Sequence, residues 1–190
     1  MRRSLLALVA AVLLTACNQG GDDQGGAPAT ATPNDADVTF TQNMIPHHQQ
    51  AIEMAKLVDT HTVRPELRTL ADRIATSQGQ EVTLMQGWLR AWGKPAAPQG
   101  MNHGGMHMPG MMSEAQMRQL MATRDQDFDL LFLEMMTAHH QGAIEMANTE
   151  LHDGARPEVK QLAQQIIDTQ QTEIDQFQLW QQEWAAAPNR

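Results

Sequence analysis

The chain contains an internal duplication, and this feature constrains its fold more than any other. Shifted by 92 residues, the sequence overlays itself without a gap between residues 37–92 and 129–184. The identical pairs include Asp37 with Asp129, Phe40 with Phe132, Met44 with Met136, His47 with His139, His48 with His140, Gln78 with Gln170, Glu81 with Glu173 and Trp92 with Trp184. Chance does not hold so many identities in one register, so the chain is two copies of one structural unit.

Each copy is predicted to form two helices around an Arg-Pro-Glu sequence, at residues 64–66 and 156–158. Proline suits the first turn of a helix, and a glutamate after it suits the positive helix end. Strand-like alternation is missing from the sequence, so we predict an all-α protein in which two helical hairpins form a four-helix bundle. We assign residues 38–93 to the first hairpin and 94–112 to a linker. Residues 113–184 hold a short helix, capped by Ser113, and the second hairpin, so that 38–184 form one domain.

The N-terminus has the pattern of an exported protein. Arg2 and Arg3 precede an apolar run at residues 5–14 that is too short to span a bilayer as a mature helix. The sequence Leu-Thr-Ala-Cys that ends at Cys17 resembles the lipobox of bacterial lipoproteins. That resemblance implies a signal peptide at 1–16, a lipid on Cys17, and a membrane-anchored protein facing the periplasm or the cell exterior. Residues 17–37, rich in Gly, Ala, Thr, Pro and Asp, are predicted to be a flexible tether.

Charge and cysteine content exclude several classes of function. The formal net charge is -9, and losing Arg2 and Arg3 with the signal makes it more negative still. This balance argues against nucleic acid and against electrostatic docking on anionic lipid. Cys17 is the only cysteine, which excludes an intramolecular disulfide and a thiolate metal site in the folded domain.

The helical periodicity places polar residues among the apolar ones. His48 lies inside the apolar stripe of the first helix, and His47 lies at its edge. His48 and Gln78 are each roughly fifteen residues from the predicted hairpin turn, about 22 Å along a helix, with Glu81 one turn beyond. The second copy repeats this arrangement. The candidate ligands in the bundle are therefore Met44, His47, His48, Glu81, Met136, His139, His140 and Glu173.

Two interpretations of this set stay open. Buried charge has to be paired, hydrogen-bonded or bound to a metal. One interpretation is a structural His–Glu–Gln network that fixes the packing of the helices, with the methionines as ordinary core residues. The other is a metal site between the hairpins, with imidazole, thioether or carboxylate ligands.

The linker between the copies is unusually rich in methionine and histidine. Its candidate ligands are Met101, His103, Met106, His107, Met108, Met111 and Met112, set among glycines and one proline. Thioether sulfur selects Cu(I) and imidazole also accepts Cu(II), so this composition favours copper. Thioethers also suit an oxidising compartment, where cysteines form disulfides. The alternative is a plain flexible linker.

The segment from Met44 to Ala55, Met-Ile-Pro-His-His-Gln-Gln-Ala-Ile-Glu-Met-Ala, and its second copy resemble the bacterial family called domain of unknown function 305. The Asp-x-x-Phe lead-in at Asp37 and Asp129 and the later Gln-x-x-Glu and Trp belong to the same resemblance, which covers about residues 37–184. It implies a ferritin-like four-helix bundle, export and, in some members, copper binding with a part in copper resistance. The second copy has Thr-Ala where the first has Ile-Pro before its histidines, which leaves the candidate ligands in place.

The expected function is therefore copper binding in the cell envelope, as Cu(I), Cu(II) or both, with no catalytic activity. Glu81 and Glu173 would be ligands, or partners that orient the imidazoles. A ferritin-type di-metal oxidase is a second possibility, but its Glu-x-x-His spacing occurs nowhere in the chain. A metal-free structural or interaction module is the third. The possible partners are a second copy of the chain, in a homo-oligomer, and a copper-handling partner protein.

Overall fold

The computed structural model describes residues 31–96 and 108–186, and every regular element in these ranges is a helix. The elements are α1 (Asp35–His61), α2 (Pro65–Ala91), α3 (Glu114–Ala122), α4 (Asp125–Asp153) and α5 (Pro157–Ala186). The prediction of an all-α fold built from two helical hairpins is confirmed. The first hairpin is α1 and α2, the second is α4 and α5, and the short α3 lies between them.

The helix starts follow from local sequence. Asn34 caps α1 through a reciprocal pair of hydrogen bonds with Asp37, so this helix begins at Asp35, inside the segment that the sequence predicted as tether. The prolines of the two Arg-Pro-Glu sequences are the first residues of α2 and α5, as predicted. Ser113 caps α3, also as predicted, in a capping box with Gln116.

The two hairpins meet along α1 and α4, and we call this line of contact the seam. The two helices are antiparallel, since the side chain of Asn34 at the start of α1 donates to the carbonyl of Asp153 at the end of α4 (2.8 Å). Apolar residues form two clusters, one towards each end of the bundle. Phe132 and Phe177 pack in one cluster and Phe40 in the other, and burying a side chain of this size contributes about 1.5–3 kcal/mol.

The duplicated Asp and Arg-Pro-Glu sequences hold the repeats to each other. Asp37 of the first copy accepts hydrogen bonds from the backbone N–H groups of Ala155 (3.1 Å) and Arg156 (2.9 Å) in the second. In the opposite direction, Asp129 of the second copy accepts from Arg64 Nε of the first (3.1 Å). Both contacts cross between the hairpins, so the duplication conserves an interface as well as a hairpin.

Next to Asp37 lies a second buried carboxyl group, that of Glu150. The carboxyl of Glu150 fills the space beside Gly154, where a Cβ would meet Glu150 Oε1 at 1.9 Å. Burial, and then the neighbouring Asp37, raise the pKa of Glu150 to about 8. Asp153 raises this pKa further, whereas Lys160 lowers it. The folded protein therefore keeps a proton on Glu150 at neutral pH that the unfolded chain releases.

This proton makes stability depend on pH. Because the folded pKa is raised, the free energy of unfolding falls as the pH rises from the ordinary value of 4.5 towards 8. Below pH 6.5 the buried His47 and His139 act in the opposite direction, since the unfolded imidazoles take up protons that the folded ones do not. These imidazoles contribute little only above about pH 7, so the effect of Glu150 is measured by urea unfolding between about pH 7 and 8.5.

In that window we expect the protein to lose more than about 1 kcal/mol of stability, the equivalent of one pKa unit. Glu150→Gln removes the titrating group and keeps a hydrogen-bond donor near Asp37, so the variant is expected to show a nearly flat profile. An equal loss in the protein and in Glu150→Gln would show that another group is responsible.

Candidate metal centre

A layer of polar side chains separates the two apolar clusters. The four histidines of the duplicated motif are fully buried, and Gln78 and Gln170 are nearly so. The prediction that His47 and His139 lie at the edge of the apolar stripe is wrong. The reason is the seam: α1 and α4 each pack against two helices, and so each buries a wider face than a helix with one neighbour. We call this set, with Glu81 and Glu173, the histidine layer.

One histidine of each pair contacts a glutamate of its own hairpin. His48 Nε2 lies 2.7 Å from Glu81 Oε2, and His140 Nε2 lies 2.7 Å from Glu173 Oε2. A carboxylate only accepts hydrogen bonds, so Nε2 carries the hydrogen in both rings. In a neutral ring with that tautomer the lone pair is on Nδ1, and neither Nδ1 has a hydrogen-bond partner in the described part of the chain.

The other two histidines meet each other across the seam. The ring centroids of His47 and His139 are 3.8 Å apart, with the planes tilted by 42°. His47 Nε2 donates to the carbonyl oxygen of Pro109 (3.0 Å), which again leaves the lone pair on Nδ1. His47 Nδ1 and both ring nitrogens of His139 are buried and have no hydrogen-bond partner among the described residues.

The electrostatics keep this pair uncharged. Burial, and then the neighbouring His48, lower the pKa of His47 from 6.5 to about 3, while the hydrogen bond to Pro109 acts in the opposite direction. Burial, followed by His47 and His140, holds the pKa of His139 well below its usual value, against a backbone group of His47 that lies near the ring without forming a hydrogen bond of normal geometry. Neutral imidazole is the form that binds metal ions, so no proton has to leave these rings before an ion binds.

Met44 and Met136 are fully buried on the same helices as the histidines. Each methionine precedes its two histidines by three and four residues, the spacing that brings side chains together on one helix face. Because α1 and α4 are antiparallel, the two methionines lie one turn to either side of the His47–His139 contact. Thioether donors are therefore placed next to the imidazole pair in both repeats.

The end of the linker is packed into the domain. Met108 and Met112 are buried, and Met112 belongs to the larger apolar cluster, so both candidate ligands also pack against the domain. Met111 is partly exposed. The remaining linker candidates, Met101, His103, Met106 and His107, and the predicted lipidation site Cys17, lie outside the described residues.

The sequence analysis missed two residues of this region, Gln50 and Gly142. The side chain of Gln50 bonds both backbone groups of Met112, and Gly142 lets the backbone of Pro109 approach α4. The signal that could have found them is a difference between the copies, because Gln50 and Gly142 are equivalent positions that do not match. A glycine inside a helical pattern often marks close packing.

Residues of metal-ligating types therefore lie close together, but in the described part of the chain they do not form a complete coordination site. Within residues 31–96 and 108–186, no group of three or more His, Cys, Asp or Glu side chains stands close enough together to hold a metal ion. The geometry instead offers an imidazole pair with sulfur donors beside it and two carboxylate-anchored imidazoles in the same layer.

Fold and site define a class of protein: a duplicated two-hairpin helical bundle with a buried histidine layer at the seam. The sequence profile of the family described as "Domain of unknown function (DUF305)" matches residues 37–181, and the chain belongs to this family. The resemblance seen in the sequence is confirmed.

The N-terminal prediction also has support. The profile of the prokaryotic membrane lipoprotein lipid attachment site matches residues 1–18, which identifies an envelope-associated lipoprotein. In the described part of the chain, no helix has the length and apolar character needed to cross a membrane.

Solved structures share the fold. A putative secreted DUF305 protein from Streptomyces coelicolor is 32% identical with a TM-score of 0.73, and the match covers 82% of this chain and 97% of that one. CopM in its Cu(II)-bound form is 35% identical with a TM-score of 0.68, covering 78% and 97%. Its Cu(I)-bound form is 33% identical with a TM-score of 0.67, covering 78% and 96%. No curated protein matches the chain.

Proposed function

We propose that this protein binds copper in the cell envelope and sequesters it there, contributing to copper homeostasis or resistance. The ion is bound in the histidine layer by His47 and His139, together with the carboxylate-anchored His48 and His140 and sulfur from Met44 or Met136. Copper is cargo in this proposal, and the protein has no catalytic role.

One observation carries the proposal: five ring nitrogens of the histidine layer are buried without a hydrogen-bond partner among the described residues. A buried polar group left unpaired costs about 1–3 kcal/mol, so native proteins rarely keep one without a reason. Here five such atoms belong to four histidines in one layer. A bound metal ion would use the lone pairs that the protein does not use.

The anchored nitrogens support the same conclusion. Metal-ligating histidines typically donate their second ring N–H to a carboxylate or a carbonyl, which fixes the tautomer and the ring orientation. His48 and His140 have this partner in Glu81 and Glu173, and His47 has it in Pro109. In this proposal the glutamates orient imidazoles rather than bind the ion.

The choice of copper rests on donor chemistry and on the relatives. Thioether and imidazole together favour copper over Mg²⁺, Ca²⁺ or Mn²⁺. Structures of CopM exist with Cu(I), Cu(II) and silver bound, and silver is a soft ion with the ligand preference of Cu(I). The linker methionines and histidines outside the described residues would supply a second set of copper ligands in the same protein.

The test is a competition titration of the intact protein with Cu(I), Cu(II), Zn(II) and Fe(II). To isolate the histidine layer, the variant Met101→Ser, His103→Ser, Met106→Ser, His107→Ser serves as the background, called the linker-substituted protein below. We expect at least one copper ion per chain to bind more tightly than micromolar in this background. Binding weaker than micromolar for both copper states contradicts the proposal, and iron-dependent oxygen consumption would favour an oxidase instead.

A further inference from the structure

Residues 108–112, which we call the strap, cross the seam beside the His47–His139 pair. We propose that the strap is the gate of the metal site: copper enters and leaves the histidine layer only when the strap lifts. This inference rests on the proposed function, because it assigns a kinetic control to the same site.

The strap contacts the imidazole pair directly. The carbonyl oxygen of Pro109 accepts a hydrogen bond from His47 Nε2 (3.0 Å), and both His47 and His139 are fully buried. An ion that reaches this pair from solvent has to pass the surrounding helices or displace the strap. Of these, the strap is the irregular segment, and it is held by far fewer backbone hydrogen bonds than a helix.

On one side the strap lies against α4 at van der Waals distance. A Cβ added to Gly142 would meet the carbonyl oxygen of Pro109 at 2.1 Å and the nitrogen of Gly110 at 2.6 Å. Gly110 itself has φ +75°, and a Cβ there would meet the carbonyl oxygen of Ala138 at 2.5 Å. Glycine at both positions is what allows the closed arrangement.

On the other side two side chains of α1 hold the strap, His47 through Pro109 and Gln50 through Met112. Gln50 Nε2 donates to the carbonyl oxygen of Met112 (2.8 Å), and Met112 N–H donates to Gln50 Oε1 (2.7 Å). The side chains of Met108 and Met112 are buried. The closed strap is therefore attached to both helices of the seam, by hydrogen bonds to α1 and by close packing on α4.

The repeat shows that these attachments are specific to the strap. Around them the copies agree, with His-His-Gln before and Ala-Ile-Glu-Met-Ala after. Gln50 and Gly142 are the equivalent positions that differ, and each serves the strap from its own side of the seam. To hold the strap, α1 needs a side chain that forms hydrogen bonds, whereas α4 needs a residue without a side chain.

The experiment displaces the strap without touching a histidine. Gly142→Ala places a methyl group against Pro109, and Gly79→Ala is the matched control, since a Cβ on Gly79 meets nothing within 4 Å. In the linker-substituted protein loaded with Cu(I), a chelator in excess is expected to remove copper at least about 10-fold faster from Gly142→Ala. A local opening that becomes easier by 1.4 kcal/mol gives this factor. Gly79→Ala is expected to release copper at the unsubstituted rate.

A metal-free measurement shows whether the strap has moved. Hydrogen exchange at the Met112 amide, and oxidation of Met108 and Met112 by peroxide, should both accelerate in Gly142→Ala and not in Gly79→Ala. Gln50→Ala instead removes the hydrogen bonds between Met112 and α1, so it gives a second test if Gly142→Ala folds poorly.

The outcomes separate the two proposals. Faster Met112 exchange with an unchanged rate of copper release overturns the gate and leaves copper binding intact. Failure of the unsubstituted histidine layer to take up copper overturns the proposed function, and the gate with it. Faster release from both strap variants, with Gly79→Ala unaffected, supports the gate.

Discussion

Replacing His47 and His139 together by alanine is expected to abolish tight copper binding in the linker-substituted protein. We expect a loss of more than about 100-fold in affinity, because even the loss of a group that only orients a ligating histidine costs about 10- to 100-fold. These two imidazoles are the pair that meets across the seam, with ring centroids 3.8 Å apart. The measurement is the same competition titration with Cu(I).

The unpartnered imidazole nitrogens of the same site should lower the stability of the copper-free protein. Both ring nitrogens of His139 are buried without a partner in the described part of the chain, so His139→Leu removes two orphaned polar atoms and keeps most of the volume. The copper-free variant is expected to gain about 1 kcal/mol or more of stability while it loses copper affinity. Urea unfolding without metal measures the gain.

A matched control is His152→Ala. His152 lies on α4 like His139, but it is exposed, and its ring pairs with the carboxylate of Asp153 (2.6 Å) on the same helix. Its loss should leave copper affinity unchanged. If the double variant His47→Ala, His139→Ala kept its affinity with native helicity, the pair would not be the binding site.

The second large effect is expected at the glutamates behind His48 and His140. Glu81→Ala and Glu173→Ala each remove the oxygen that holds an imidazole at 2.7 Å. We expect each to weaken copper binding by about 10- to 100-fold, the usual cost of losing a group that orients a metal ligand. The two losses should be similar, because the repeats place the glutamates equivalently.

Glu53→Ala is the control for charge. Glu53 is exposed on α1, five residues after His48, so its removal changes the net charge as Glu81→Ala does but breaks no contact to the histidine layer. Equal losses of copper affinity in Glu53→Ala and Glu81→Ala would show that the net charge, and not the contact to His48, causes the effect. A loss confined to one of Glu81→Ala and Glu173→Ala would show that the ion uses only one repeat.

Much of the fold followed from the sequence because the duplication tests each helix twice. The distances of His48 and Glu81 from the hairpin turn predicted that the two side chains lie within reach, and in the structure they are in contact. Local signals were equally informative, since Ser113 caps α3 and proline opens both second helices. These features depend on residues within one helix or one hairpin.

The rest depended on how the hairpins meet. A helical wheel assumes one buried face, so it placed His47 and His139 at an edge, whereas packing of α1 on α4 buries them completely. The strap was missed for the same reason. Its position depends on Gln50 and Gly142, which contact residues about sixty and thirty positions away in sequence. No periodicity within one helix reports such contacts.

The most direct test of the account is the ligand environment of copper in the histidine layer. X-ray absorption spectroscopy of the linker-substituted protein with one equivalent of Cu(I) separates nitrogen from sulfur donors and detects the outer-shell scattering of imidazole. We predict imidazole scattering together with at least one sulfur, and loss of the imidazole signal in His47→Ala, His139→Ala. A spectrum of sulfur donors alone, or one unchanged by that double substitution, would contradict it.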